Sequence, residues 1–452
     1  MRTPPPETGA PNRLTGPLLW LTVASGGFVF IEPSPYEFCF LLLVWAVVVE
    51  RLRVPPLLSV PIILLVILFN AGGILSVLQA AHDFDAVRYM LISIYLTVTT
   101  IVIAMIVAAD PVRYLATLRS AYVLAAVVVA ALGIVGYFSG SELLTVNERA
   151  RATFKDPNVY APFLIFPALL LARDVLACPL RTALRAAIPL TVILIGILLS
   201  FSRAAWAHFI VSGAVLVYLM LVTSPSPVLR LRVMIGSIIG ALAAAGLVVA
   251  LLTLPEVGEM FELRAGIQHY DDGTTGRFGT QIRSIPELMD RPLGYGPLQF
   301  PEYHGQAPHN VYLNAFSGYG WLGGVSYLTF VALTLWVGLR CAFVPVAWRP
   351  YHLAALATFV GVVLEGLVVD TDHWRHFFLL AGLLWGSAAA VAKTAPEPQP
   401  LAGHRQIGGM RAPSTDAVQW SRNPSRPWNR PSEPALSTMA GWPGGDHGKG
   451  SG

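Results

Sequence analysis

PEVGEMFELRAGIQHYDDGTTGRFGTQIRSIPELMDRPLGYGPLQFPEYHGQAPHN, residues 255–310, is the one long polar stretch inside a chain otherwise made of apolar runs. Before it the apolar runs follow one another with short charged turns between them, and after it three more occur. A polar stretch flanked on both sides by bilayer-length segments reads as one large extramembrane loop, and the segments as membrane-crossing helices. The loop, Pro255 to Pro308, carries Arg277 and leads directly into His309-Asn310 at the edge of the next apolar run. Arg203 stands where two earlier runs meet, breaking a segment that would otherwise continue from Ile188 to Tyr218. A charge at membrane depth is costly and tends to mark function.

Composition agrees with this reading. The chain has 452 residues, 55% of them hydrophobic and only 12% charged, with mean hydropathy +0.61. Soluble domains carry about twice that share of charge. The net charge of +4 is spread over many short loops, which argues against a nucleic-acid partner. Cys39, Cys178 and Cys341 make neither a disulfide framework nor a zinc-ligand spacing.

The expected fold is an all-α polytopic membrane protein with about twelve spans. They lie near 14–31, 35–49, 57–81, 86–109, 114–138, 158–177, 186–202, 204–223, 231–254, 310–341, 351–369 and 374–392. Glu32, Pro33, Pro35 and Glu37 crowd the turn between the first two, so these form either a pair of spans or a re-entrant hairpin. Residues 1–16 are Pro-rich and read as a cytoplasmic lead-in, 17–392 as the transmembrane domain, and 393–452, rich in Pro, Gly and Ser, as a disordered cytoplasmic tail.

Positive charge sets the orientation. With both termini cytoplasmic, the inner loops hold Arg51 and Arg53; Arg113 and Arg119; Arg173, Arg181 and Arg185; Arg230 and Arg232; Arg340 and Arg349. Basic residues on the outer side then need another reason. They are Arg149, Arg151 and Lys155, then Arg203, the long loop, and Arg375. Anion binding supplies that reason.

Several of these positions carry chemistry. A guanidinium at Arg203 either clamps phosphate oxygens with its planar donors or snorkels at a helix end. Within the loop, Phe278, Ile282, Ile285 and Met289 recur at helical spacing, which predicts a short amphipathic helix on the membrane surface with Arg277 at its start. Backbone N–H groups at a helix start add to the pull on an anion. His309 opens the next helix, where an imidazole serves either as a proton acceptor facing water or as a polar end-group. Asn310 is a helix cap or a ligand contact. Asn147 to Asn158 (NERARATFKDPN) precedes another span; its bases and the Asp156-Pro157-Asn158 turn, Arg151 and Asn158 foremost, are either candidates for sugar or phosphate contacts or an ordinary loop and helix start. Asp370-Thr371-Asp372-His373 and Arg375-His376 sit at an outer loop and are candidates to line the same cavity, His373 and Arg375 foremost.

Three segments together resemble the O-antigen ligase family of bacterial membrane glycosyltransferases, which includes related polysaccharide polymerases. They are SRAAW (Ser202 to Trp206), GRFGTQIRSIPELMDRPLGYG (Gly276 to Gly296) and APHNVYLNAFSGYGWLGG (Ala307 to Gly324). Thr153 to Asn158 resembles a further family loop, and the likeness extends from about Arg149 to Trp385. The resemblance implies a GT-C-like fold with one large periplasmic loop containing short helices, in the bacterial inner membrane. It implies that Arg203 and Arg277 hold the diphosphate of a polyprenyl (undecaprenyl) diphosphate-linked glycan, and that His309 is the base for the acceptor hydroxyl. It also implies an inverting, metal-independent reaction without cofactor, onto lipid A–core (a ligase) or another lipid-linked glycan (a polymerase). Two positions depart from the family: Gly318 stands where many members have Glu, and Ala152 where Gly is common.

Two other readings compete. Asp83 with Asp85, or Asp370 with Asp372, are carboxylate pairs of the kind that hold a hard divalent cation in a metal-dependent transferase. Alternatively Glu365, inside a span, is the coupling acid of a lipid-linked oligosaccharide flippase, although no internal repeat supports it.

Overall fold

In the computed structural model, the described residues are 13–31, 33–80, 82–266, 273 and 276–394. The lead-in falls almost wholly outside them, as do the tail after residue 394 and the turn at Asp271-Asp272. The described part is a helical bundle. Its only strands, β1 (Thr145–Val146) and β2 (Arg149–Ala150), form a small antiparallel hairpin.

Each of the twelve expected spans is a helix. Those N-terminal to the loop are α1 (Thr15–Ser25), α2 (Pro35–Val49), α3 (Pro56–Ala80), α4 (Phe84–Ala109), α5 (Pro111–Ser139), α6 (Pro157–Ala177), α7 (Leu180–Leu199), α8 (Arg203–Thr223) and α9 (Pro227–Leu252). The loop contributes α10 (Pro255–Ala265), α11 (Arg277–Met289) and α12 (Phe300–His304); then come α13 (Val311–Ala342), α14 (Arg349–Glu365) and α15 (Arg375–Thr394). Among the described residues nine helices are long and apolar enough to cross a bilayer. The count falls short of twelve because α1, α2 and α14 have only 11, 15 and 17 residues. At 1.5 Å per residue, an α1-sized helix covers about half of a hydrocarbon core of roughly 30 Å. α1 and α2 form a hairpin whose open end is tied by Thr15 Oγ1 and the Leu14 N–H donating to Glu50.

From α4 to α9 and from α13 to α15 the chain alternates between two ends of the bundle. Arg119, Arg173 and Asp174 gather at one end. The starts of α6, α8 and α13, the end of α14 and the start of α15 gather at the other, where the loop packs. α11 has three faces. Thr280, Ser284 and Leu288 are buried against the protein, and Arg283, Glu287 and Asp290 are exposed. Its apolar stripe, Phe278, Ile282, Ile285 and Met289, also points outward. A water-soluble helix would turn that stripe inward; an interfacial membrane helix turns it to lipid.

The loop is seated by a break in α13. Gly320 adopts φ 65°, ψ −174°, a conformation open essentially only to glycine. The break frees Ser317 O to accept from Tyr295 N and Gly296 N, and Trp321 N donates to Pro292 O at 2.8 Å. Trp321 Nε1 reaches Leu288 O at 2.9 Å, and Ser76 Oγ of α3 reaches Leu293 O at 2.6 Å. Gly294 is needed for the same reason, since a Cβ there would lie 2.3 Å from Ser317 O. The two Gly-Tyr-Gly sequences are thus the two halves of one joint.

A Cβ on Gly320 would also meet Pro292 O at 2.7 Å. Gly320→Ala therefore costs about 1–3 kcal/mol in backbone strain alone. Thermal unfolding followed in detergent should show a midpoint lower by several degrees, while Gly246→Ala, whose Cβ meets nothing within 4 Å, should leave it unchanged or slightly higher.

Candidate functional site

A cavity of about 950 Å³ lies at the loop-bearing end of the bundle. Its walls include Asn158, Arg203, Arg277 and His309, residues drawn from four distant parts of the chain. Each stands at or beside a helix start. Asp156 caps α6, accepting from Asn158 N at 2.7 Å. Ser202 caps α8 ahead of Arg203, Arg277 is the first residue of α11, and Asn310 caps α13 behind His309. Unsatisfied N–H groups at a helix start carry partial positive charge, so four such starts around one hollow already favour an anion.

The side chains reinforce this. Arg149, Arg203, Arg264 and Arg277 line the cavity with two carboxylates, Asp156 and Asp370. Arg203 Nη1 donates to Gly266 O at 2.8 Å, just beyond α10, and Arg277 Nη1 donates to Val368 O at 2.9 Å, just beyond α14. A carbonyl orients a guanidinium without cancelling its charge. Arg149 bridges Ser200 O and Asn158 Oδ1 at 2.8 and 2.9 Å, tying the end of α7 to the start of α6.

His309 is held by its backbone. It takes left-handed φ 46°, rare for a residue with a Cβ. Its N–H donates to Asp370 Oδ2 at 3.1 Å, the Asn310 N–H donates to Asp370 Oδ1 at 2.9 Å, and Gln281 Nε2 donates to the carbonyls of Pro308 and His309. Burial, and next the neighbouring Asp372 carboxylate, push the Asp370 carboxyl up to about 7, against lowering by those two N–H groups and Arg277. Asp372 goes the other way. Burial would raise it, but contacts from His373 and Tyr89 outweigh that and hold it below the usual range.

The other expected site residues lie elsewhere. Asn310 is a cap, its Oδ1 accepting from Tyr312 N and Leu313 N at 3.1 Å. Arg151 belongs to a separate cleft with Glu142, Glu148, Glu256 and Glu259, and donates to the carbonyls of Glu142 and Lys155. His373 and Arg375 line a second cavity that adjoins the first. Arg375 is ion-paired with Glu37, and His373 Nε2 lies 3.2 Å from Ser93 Oγ.

Of the charged residues in the cavity wall, Arg264 alone carries no expectation from the sequence. Arg149, one of the bases of the Asn147 to Asn158 stretch, lines the cavity and Arg151 does not, because hairpin pairing ends at Ala150 and both Arg151 N and Ala152 N then donate to Leu144 O. Arg264 sits in the last turn of an exposed helix and carries no sequence signal; its Nε is buried without a hydrogen-bond partner among the described residues. Asp370, expected both to line the cavity and as half of a metal pair with Asp372, lines it. Its oxygens are instead engaged by backbone N–H groups, while Asp372 Oδ2 accepts from Tyr89, Asn314 and Tyr319. Asp83 caps α4 and accepts from Gln299 Nε2. Glu365 is buried against His208, Oε2 to Nδ1 at 2.7 Å.

The fold and cavity define a multi-pass helical membrane protein with an arginine-lined cavity at one end of the bundle. Residues 188–328 match the family model for O-antigen ligase, and this match supports the chain's membership of that family. The matched segment contains Arg203, Arg277 and His309 and ends before Asp370. No curated protein matches the chain. The family supports a glycosyl-transfer enzyme of the O-antigen ligase or polymerase type, working on lipid-linked glycans within a membrane.

The raised Asp370 carboxyl has a testable sign. A carboxyl raised on folding contributes its stability in full below its unfolded value near 4, and loses it as pH rises through about 7. The unfolding midpoint of the wild type, relative to Asp370→Asn, should therefore fall between about pH 5 and pH 8. A difference that stays constant across that range would contradict the assignment.

Proposed function

We propose that the protein transfers a glycan from a polyprenyl diphosphate carrier to an acceptor hydroxyl at the periplasmic face of the bacterial inner membrane. The observation that carries this reading is the convergence of Arg203, Arg277 and His309 on one cavity. In the proposed step His309 accepts the proton of the acceptor hydroxyl. The oxygen attacks the anomeric carbon from the face opposite the diphosphate, the carbon–oxygen bond to the diphosphate breaks, and configuration inverts. Polyprenyl diphosphate leaves with the electron pair, and Arg203 and Arg277 meet its growing charge.

Two physical points support the assignment. A diphosphate is a good leaving group only when fixed cations stabilise it, and such cations act most strongly in a water-poor site. A sugar hydroxyl is a poor nucleophile until a positioned base takes its proton. With charge stabilisation supplied by guanidinium groups and helix starts, the step proceeds without a metal. The acceptor is lipid A–core in the ligase-like reading and a second lipid-linked repeat in the polymerase alternative.

Purified protein in nanodiscs, given a synthetic polyprenyl diphosphate glycan and an acceptor glycolipid, should form a glycosidic bond, and EDTA should not stop it. His309→Ala and Arg277→Ala should each lower kcat by about a hundredfold or more, and Arg203→Lys should retain part of the rate that Arg203→Ala loses. Full activity in both alanine variants at positions 277 and 309 would sink the mechanism. Movement of the lipid-linked glycan across the bilayer with no bond made would point to a flippase instead.

A further inference from the structure

The reaction proposed above uses two of the first cavity's four arginines, Arg203 and Arg277. Arg149 has a structural task, since it ties α7 to α6 through Ser200 O and Asn158 Oδ1. Arg264 has none. Among the described residues it makes neither a hydrogen bond nor an ion pair. An arginine in the last turn of a helix ordinarily donates to the final carbonyls there. Arg264 stands in the last turn of α10 and donates to none of them. Of its nitrogens Nε alone is enclosed, so the donors on both Nη groups are accessible and open to a ligand, and Arg264 lines the first cavity.

Its place is nonetheless fixed. Phe261, one turn before Arg264, stacks on Trp206 of α8 with ring centroids 5.5 Å apart and planes within 21°. Two residues beyond Arg264, Gly266 O accepts from Arg203 Nη1 at 2.8 Å. Val257 and Met260 of the same helix are buried, and Glu256 O accepts from the Tyr137 hydroxyl at 3.1 Å. The end of α10 is thus held against the first turn of α8 on both sides of Arg264. That arrangement brings one more cation to the hollow that Arg203 lines. Like charges around one hollow repel unless an anion enters it. A rigidly placed guanidinium without a protein partner, in a set of like charges, costs stability and is the mark of a ligand contact.

The charge balance of the reaction says what that contact is. In the donor each phosphorus of the diphosphate is esterified and carries one negative charge. When the bond from the anomeric carbon to oxygen breaks, its electron pair stays on that oxygen, and the acceptor's proton passes to His309. The leaving polyprenyl diphosphate then carries one negative charge more than it did in the donor. A group speeds the step only if its interaction strengthens as this charge appears. Arg203 and Arg277 each spend a donor on a protein carbonyl, whereas Arg264 spends none. We infer that Arg264 joins Arg203 and Arg277 at the leaving group and binds the oxygen freed from the anomeric carbon. This rests on the transfer reaction proposed above.

Two ligands that differ by that one charge test it. Farnesyl diphosphate ends in a free phosphate and stands for the leaving group. Farnesyl methyl diphosphate is esterified at both ends and stands for the donor. Both are titrated calorimetrically at about pH 8 into protein in nanodiscs, with empty nanodiscs as the reference. The wild type should bind farnesyl diphosphate about tenfold more tightly than the diester. Arg264→Ala should lose that preference while its affinity for the diester changes by no more than about twofold, whereas Arg277→Ala should weaken both. In turnover Arg264→Ala should lower kcat about a hundredfold with donor KM within about twofold, and Arg264→Lys should keep part of the rate. The alanine variant loses no hydrogen bond or ion pair to the described protein, so without ligand its unfolding midpoint should equal or exceed that of the wild type. The inference is overturned if Arg264→Ala keeps the wild-type preference, if it weakens both ligands alike, or if the wild type has no preference. A wild type that binds neither ligand counts against the transfer reading itself.

Discussion

Five residues just past the end of α14, Gly366 to Asp370, hold the cavity's parts in register. Gly366 O accepts from Val311 N at 2.8 Å and so fixes the first turn of α13. Val368 O accepts from Arg277 and fixes the start of α11, and the Asp370 carboxylate accepts from the two N–H groups that flank the His309 carbonyl. One residue earlier, Glu365 binds His208, which lies five residues after Arg203 on α8. A single turn thus references the elements that bear Arg203, Arg277 and His309. Transfer chemistry tolerates little error in the placement of its groups, and a displacement near 1 Å is enough to lose about two orders of magnitude in rate. A site assembled from loop residues needs a rigid reference, and here the reference is a backbone turn held at both ends.

The sequence made the helices legible because an apolar run of bilayer length has no other stable form in lipid. It made Arg203, Arg277 and His309 legible because each is a polar group at the margin of such a run. It failed where tertiary contact decides. α1 and α14, expected over 14–31 and 351–369, end early where the chain turns at Gly26 and Gly366, while α2 has the expected bounds. Arg149 and Arg151 are indistinguishable by charge and spacing, and only the end of the hairpin pairing separates them. His373 and Arg375 were expected in the same hollow as the arginines because they share an outer loop with Asp370. A shared loop fixes which end of the bundle a residue occupies, not which side of a wall it faces.

Asp370 and Trp374 belong to both cavities, so one carboxyl group borders an arginine-rich hollow and a charge-balanced one. The backbone around the His309 imidazole is strained, and the same device occurs twice. Phe201 and His309 both adopt left-handed φ, 48° and 46°, and both stand immediately before a helix cap, Ser202 and Asn310. A left-handed residue reverses the chain abruptly, so that a helix can begin at the cavity wall instead of one turn away from it. For a residue with a Cβ the conformation costs about 1–2 kcal/mol. At Phe201 complete burial of the ring offsets it, the side chain packing against Tyr137 and Trp206. At His309, which borders the cavity, the two N–H groups donating to Asp370 contribute to the offset. The carboxyl bordering both cavities therefore also supports the His309 conformation.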